Sequence, residues 1–260
     1  MKVVILCGGY GTRIRDVADN IPKPMIPVGG LPILWHIMKY YAHWGHREFI
    51  LCLGYKGEVT KDFFLNYEAH TRDFTISLGT AKSIKYHSDH NESDWRVTLA
   101  DTGADAMTGA RIRKIRNYIG DDKNFLLTYG DGVGDIDLKK LIAFHDKHGK
   151  VLTVSGVRPP GRFGELMSGA GGLVTEFNEK PQATAGRISG GFFVCQRELF
   201  DYLEEREDLT LEQEPMRRLV AERQLMVYEH DGFWQPMDTH RDYLLLNRLC
   251  ENNQAPWMIW

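Results

Sequence analysis

Gly8-Gly9-Tyr10-Gly11-Thr12-Arg13 directly follows the apolar run from Val3 to Cys7. Glycine lets backbone approach an anion closely, and successive N–H groups can converge on one phosphate. Arg13 adds a planar, forked cation. Downstream, Pro22-Lys23-Pro24 sets a lysine between two prolines that stiffen its backbone, so it can meet a phosphate at low entropic cost. Asp131 stands between Gly130 and Gly132 after the apolar Phe125 to Tyr129, and Asp238 lies in Pro236-Met237-Asp238-Thr239. Mg²⁺ prefers one or two carboxylates with phosphate oxygens and water, and Asp131 suits that role. Asp238 carries two readings, metal ligand and helix N-cap. Chemistry on bound phosphates needs charge neutralisation and positioning more than an acid or a base. These residues supply that chemistry.

Other phosphate loops and centres do not fit. No Gly-x-x-x-x-Gly-Lys-Ser/Thr string occurs. The dinucleotide fingerprint fails twice: Ile14 stands where its third glycine belongs, and Gly54-Tyr55-Lys56 stands where its acidic residue belongs. His87 with His90, His43 with His46 and His145 with His148 lack companion pairs at structural-zinc spacing. No Gly-x-Ser-x-Gly elbow supports acyl transfer.

These groups must be positioned by an alternation of strands and helices. Val3 to Cys7, Glu48 to Leu53, Phe125 to Tyr129 and Val151 to Val157 are short apolar runs that suit strands buried on both faces. Phe74 to Leu78 and Trp95 to Leu99 also read as strands, with a polar loop from Tyr86 to Asp94. Pro32 to Trp44, Glu58 to Tyr67, Ala110 to Ile119, Asp137 to His148, Glu212 to Arg223 and Asp238 to Glu251 read as helices, with a strand near Met226 to Tyr228. Residues 158–196 read as Gly-rich turns and short strands. The sum is an α/β, three-layer Rossmann-like fold with a mostly parallel central sheet and small β additions, in a single domain over 1–260. The apolar end, Trp257-Met258-Ile259-Trp260, is expected to dock on its own domain or on a second subunit.

Composition narrows the class. The chain has 260 residues, 43% hydrophobic and 26% charged, as in ordinary globular proteins. Its formal charge is −3, which argues against nucleic acid as a partner. No stretch approaches the roughly 20 apolar residues of a membrane span. No signal-peptide pattern is visible, so a cytoplasmic location is expected. Cys7, Cys52, Cys195 and Cys250 are far apart and are expected to be free, buried thiols.

The strings Gly-Gly-x-Gly-Thr-Arg, Pro-Lys-Pro and Gly-Asp-Gly together resemble the sugar-1-phosphate nucleotidylyltransferases. Pro32-Ile33-Leu34-Trp35-His36-Ile37-Met38, Thr128-Tyr129-Gly130-Asp131-Gly132, Pro160-Gly161-Arg162-Phe163-Gly164, Gly190-Gly191-Phe192-Phe193-Val194 and Phe233-Trp234-Gln235-Pro236-Met237-Asp238-Thr239 resemble its glucose-1-phosphate cytidylyltransferase branch. The resemblance runs through Ala255-Pro256-Trp257, essentially the whole chain. It implies CTP and glucose 1-phosphate or a related sugar 1-phosphate as substrates, Mg²⁺ as cofactor, a homo-oligomer, and CDP-glucose made for surface polysaccharide. It also implies that residues 1–135 mainly bind nucleotide and residues 136–260 mainly bind sugar phosphate and make oligomer contacts. UTP- or dTTP-dependent chemistry, another sugar, and a non-catalytic nucleotide-sugar sensor are the alternatives.

Carried over residue by residue, the resemblance implies nucleotide contacts from Leu6, Gly8, Gly9, Gly11, Thr12, Arg13, Lys23, Thr108, Arg111 and Gly130. Arg13, Lys23 and Asp131 would be catalytic, and Asp131 and Asp238 would hold Mg²⁺. Glu179, Lys180, Ser189 and Gly190 would face the sugar phosphate. Arg162 reads equally as an anion ligand there and as a turn residue. Arg111 lies in a first helical turn, where a cation opposes the helix dipole, and this too suggests a ligand. Three positions depart from the branch: Ser189 stands where Asn is usual, Leu211 where Trp is usual, and Cys7 where Ala is usual.

Overall fold

The computed structural model describes residues 1–10, 20–79, 83–159, 165–168, 174–178 and 186–260. Seven strands form the central sheet: β1 (Val3–Leu6), β2 (Glu48–Leu53), β3 (Arg96–Asp101), β4 (Asn124–Tyr129), β5 (Leu152–Val157), β6 (Ile188–Gln196) and β7 (Leu225–His230). Their spatial order is β7-β5-β6-β4-β1-β2-β3. The run β4-β1-β2-β3 is parallel, as is the pair β5-β7, and β6 is antiparallel to both its neighbours. The main helices are α1 (Ile33–His43), α2 (Gly57–Leu65), α3 (Thr108–Lys114), α4 (Leu138–His148), α5 (Glu214–Ala221) and α6 (His240–Glu251).

Side-chain alternation explains the layers. Val3 and Ile5 join one buried cluster with Phe49, Leu51 and the α1 residues Ile33, Leu34 and Ile37. Val4 and Leu6 join the other with Ile50, Cys52 and the α3 residue Ile112. A strand whose successive residues enter two different cores must be covered on both faces. The result is the expected three-layer α/β fold with a mostly parallel sheet.

β6 differs from its sequence reading. A nine-residue strand fills the middle of the sheet where turns and short strands are expected. The glycines that suggest a turn are packing devices. A Cβ on Gly190 would lie 2.6 Å from Ser155 Oγ. Gly191 has φ +76, and a side chain there would overlap the Tyr129 ring.

Smaller differences are local. Ser83–Tyr86 pairs with Phe74–Ser77 as a hairpin. The helix read from Glu58 to Tyr67 breaks at Asn66, and the one read from Ala110 breaks at Ile115.

The carboxyl end docks on its own chain through Trp257, which is fully buried and stacks on Phe233. Its Nε1–H donates to His36 Nδ1 at 3.3 Å, while His36 Nε2 lies 2.7 Å from the Val28 carbonyl. His36 is therefore a neutral core histidine, its pKa pulled down by burial. Met258, Ile259 and Trp260 remain more than a third exposed. Cys7, Cys52 and Cys195 are free and buried as expected, whereas Cys250 is only half-buried. Among the described residues, no helix is long and apolar enough to cross a membrane.

Candidate active site

β2 and β3 lie on one side of β1, and β4 lies on the other. The loops leaving the carboxyl ends of β1 and β4 therefore part, and such a switch point opens a crevice. A cavity of 310 Å³ sits there. Among its lining residues are Leu6, Gly8, Gly9, Lys23, Thr108, Arg111, Gly130 and Asp131. Each of these is a residue singled out from sequence. Gly130 is required by contact, since a Cβ there would lie 2.8 Å from the Leu6 carbonyl oxygen.

Three charged groups meet at one end of this cavity. Pro22 is extended, and Lys23–Met25 form one short 3₁₀ turn that aims Lys23 inward. Lys23 Nζ donates to Asp131 Oδ2 at 2.6 Å and to Asp238 Oδ1 at 2.5 Å. Asp131 follows β4. Asp238 arrives because Trp234–Pro236 pairs antiparallel with Gly132–Gly134, and Met237 N–H donates to the Asp131 carbonyl at 2.8 Å. Asp238 is not the helix cap. Thr239 caps α6 and forms a capping box with Asp242, which leaves the Asp238 carboxylate free to face Lys23. Burial alone would lower the Lys23 pKa. The charges and hydrogen bonds of Asp131 and Asp238 outweigh it and hold the pKa above the ordinary lysine value.

The donor set fits Mg²⁺. Two hard carboxylates converge on one point, where a single ammonium already bridges them. Among the described residues, no group of three or more metal-ligating side chains exists. Mg²⁺ needs no such cage, because substrate phosphates and water complete its shell. The paired histidines serve locally: His87 Nε2 lies 2.8 Å from Thr75 Oγ1, and His145 and His148 share Thr153 Oγ1.

Arg111, which the resemblance places at the nucleotide, is also tied to the protein around it. It lines the cavity, but the residue is only 5% exposed and its guanidinium is engaged by protein. Nη1 donates to the Leu53 carbonyl at 3.0 Å, to Thr102 Oγ1 at 2.8 Å and to the Gly103 carbonyl at 2.8 Å. Nη2 donates to the carbonyls of Gly8 and Ala104, both at 3.1 Å. The role shown is a brace that ties together the loops after β1, β2 and β3. A brace in the cavity wall can also touch a nucleotide. Sequence does not show that carbonyls from three loops converge on this arginine.

Ser189 and Gly190 open β6, outside the cavity lining. Phe192 pairs with Thr128, so the antiparallel register carries Gly190 level with Gly130 at the same edge of the sheet. The Gly190 carbonyl accepts a 2.7 Å hydrogen bond from Trp234 Nε1, on the strand that delivers Asp238. Gly11, Thr12, Arg13, Arg162, Glu179 and Lys180 lie outside the described residues.

Sequence reading missed three participants. Tyr10 lies inside the glycine loop and lines the cavity, and its hydroxyl donates to Asp105 Oδ1 at 2.5 Å. Glu212 accepts hydrogen bonds from the Tyr129 hydroxyl and, at 2.7 Å, from Thr108 Oγ1. It thereby pins two cavity walls together. Tyr10 had a signal in its place among the glycines. Asp105 and Glu212 had none, because their partners are distant in sequence.

Comparison with known proteins shows the family. The family model described as nucleotidyl transferase matches residues 2–253. A glucose-1-phosphate cytidylyltransferase of Salmonella typhimurium is 47% identical over 260 residues, 100% of both chains. A probable glucose-1-phosphate cytidylyltransferase of Bacillus subtilis is 42% identical over the same span, again 100% of both. The crystal structure of HddC from Yersinia pseudotuberculosis superposes with a TM-score of 0.68 at 23% identity, covering 97% of this chain and 99% of that one.

Proposed function

The chain belongs to the nucleotidyl transferase family, and on that premise we propose that it transfers CMP from CTP to glucose 1-phosphate. A phosphate oxygen of the sugar attacks the α-phosphorus of CTP. The new P–O bond forms as the bond to the β-phosphate oxygen breaks, and pyrophosphate leaves with those electrons. The observation that carries this reading is the convergence of Lys23 on Asp131 and Asp238 at the mouth of the β1/β4 crevice. Full-length likeness to the Salmonella and Bacillus enzymes supports the choice of CTP and glucose 1-phosphate.

The residues divide the work by charge. Lys23 and Arg13 neutralise the triphosphate and the charge that builds on it during transfer. The backbone of Gly8, Gly9 and Gly11, with Thr12, lets the phosphates approach closely. Asp131 and Asp238 would hold Mg²⁺, which when bound supplies Lewis-acid polarisation and a template for the phosphates. Lys180 and Arg162 hold the attacking phosphate, and Glu179, Ser189 and Gly190 meet the sugar. Residues 1–135 thus serve the nucleotide, and 136–260 serve the sugar phosphate and the contacts between subunits. Exposed Met258, Ile259 and Trp260, with Leu244 and Leu245 on α6, are the apolar surface for a homo-oligomer.

The test is pyrophosphate release in Mg²⁺ across four nucleoside triphosphates and several hexose 1-phosphates. CTP with glucose 1-phosphate should turn over fastest. Preference for a different sugar keeps the chemistry and moves the substrate. Silence with CTP, from folded protein, removes the proposal.

A further inference from the structure

The cavity has two ends of opposite character. Lys23 marks one, and the phosphates of a nucleotide belong there by charge. The other end is walled by Ala104, Ala106 and Met107, with Tyr10 at its lip, the carboxylate of Asp105, and Arg111, whose guanidinium donates to the carbonyls of Gly8, Leu53, Gly103 and Ala104. Among the described residues, no cation pairs with Asp105. A bare carboxylate repels phosphate, so this end suits the uncharged part of the nucleotide.

Tyr10 and Asp105 come from two different loops. Tyr10 follows β1, and Asp105 follows β3. Tyr10 is 48% exposed and its ring lies 5.0 Å from the Tyr55 ring, centroid to centroid, which leaves aromatic surface for a base to stack on. Its hydroxyl donates to Asp105 Oδ1 at 2.5 Å and fixes the carboxylate. That hydrogen bond also raises the Tyr10 pKa, so the phenol remains a donor. Asp105 Oδ2 has no hydrogen-bond partner among the described residues. An ionised carboxylate only accepts hydrogen bonds. Of the pyrimidine bases, cytosine presents an exocyclic amine, a donor, where uracil and thymine present a carbonyl oxygen.

We propose that Asp105, oriented by Tyr10, selects cytosine by accepting a hydrogen bond from its exocyclic amine while the Tyr10 ring stacks on the base. Asp105 is then a specificity residue and Tyr10 its positioning partner. The inference rests on the proposed use of CTP. It adds the residue that enforces that choice against UTP and dTTP, where a carboxylate oxygen would face a carbonyl oxygen.

The test is Asp105→Asn and Tyr10→Phe in the full chain. CTP and UTP binding are measured by tryptophan fluorescence, and kcat/KM by pyrophosphate release. Asparagine can keep the Tyr10 contact through its carbonyl while turning an amide donor toward the base. The CTP:UTP ratio should fall about 10- to 100-fold in Asp105→Asn, the scale of one hydrogen bond to a charged group. Tyr10→Phe keeps the ring and frees the carboxylate, so KM for CTP should rise with kcat nearly unchanged. Equal losses for CTP and UTP in Asp105→Asn would place the carboxylate on the ribose or the loop and overturn the assignment, as would an unchanged ratio. Failure of the wild-type protein to bind or use CTP overturns the proposed function itself. Failure of this inference alone appears only in the variants, beside an intact wild-type preference.

Discussion

Met237 N–H donates to the Asp131 carbonyl across 2.8 Å, and this bond carries the neighbouring Asp238 carboxylate to its partner. Two carboxylates from distant parts of the chain then bracket one lysine. Their mutual repulsion is offset by the ammonium between them, and a divalent cation with phosphates would offset it equally well. Asp131→Asn keeps shape and removes one charge. Mg²⁺-dependent pyrophosphate release should fall by at least about 100-fold, comparable to deleting one preorganised charge-stabilising group. Circular dichroism and the unfolding midpoint should stay near wild type. Activity near the wild-type level would take Asp131 out of the metal site.

Arg111→Met separates bracing from ligation. The substitution leaves the carbonyls of Gly8, Leu53, Gly103 and Ala104 without their guanidinium donor. Leaving a buried acceptor without its donor costs about 1–3 kcal/mol. A urea unfolding curve should show a loss of that order. If stability is unchanged and only KM for CTP rises, the guanidinium acts on the nucleotide and the brace is unimportant.

Much of the fold is visible in the residue pattern, for a physical reason. Val3–Leu6 and Asn124–Tyr129 are short apolar runs because both their faces enter a core, and such runs followed by glycine mark strands ending at a site. Lys23, Asp131 and the glycines are legible because each sits in a local string with its own chemistry. β6 is illegible because Gly190 and Gly191 answer to Ser155 and Tyr129, neighbours set by the sheet and not by the sequence around them. Asp238 is ambiguous until Thr239 is seen to cap α6. The Tyr10–Asp105 and Thr108–Glu212 contacts join residues roughly a hundred positions apart, and no periodicity encodes such a pair.

Acid should destabilise the protein through buried histidines. His145 is buried between α4 and β5 against Thr153, and burial, helped by nearby His148, pulls its pKa from 6.5 to about 4. Burial takes His46 to about 4 as well. In the unfolded chain each binds a proton near its ordinary pKa, while in the folded chain each resists until about pH 4. Between these values the unfolded state holds more protons, so stability rises with pH across that window. It is complete above about pH 6.5 and declines as pH falls toward 4. His145→Asn removes one such group. The loss of unfolding free energy from pH 7 to 4.5 should shrink by on the order of 1 kcal/mol. An identical pH slope in the variant would show that His145 does not contribute.

Ser189 bears on the sugar. It opens β6 and pairs with Gly156, at the sheet edge shared with Gly130 and Asp131. The resemblance to the cytidylyltransferases implies asparagine at this position. Serine is shorter and offers one donor where an amide offers two plus a carbonyl. If Ser189 re-tunes the sugar pocket, Ser189→Asn should raise kcat/KM for glucose 1-phosphate relative to other hexose 1-phosphates by about 2- to 10-fold, the scale of one neutral hydrogen bond. The change should fall mainly on KM for the sugar phosphate, with KM for CTP unmoved, because the substitution touches neither the Lys23 cluster nor the Tyr10 end of the cavity. A sugar profile identical to wild type would mean that Ser189 does not set sugar preference and that glucose 1-phosphate is discriminated elsewhere in the pocket.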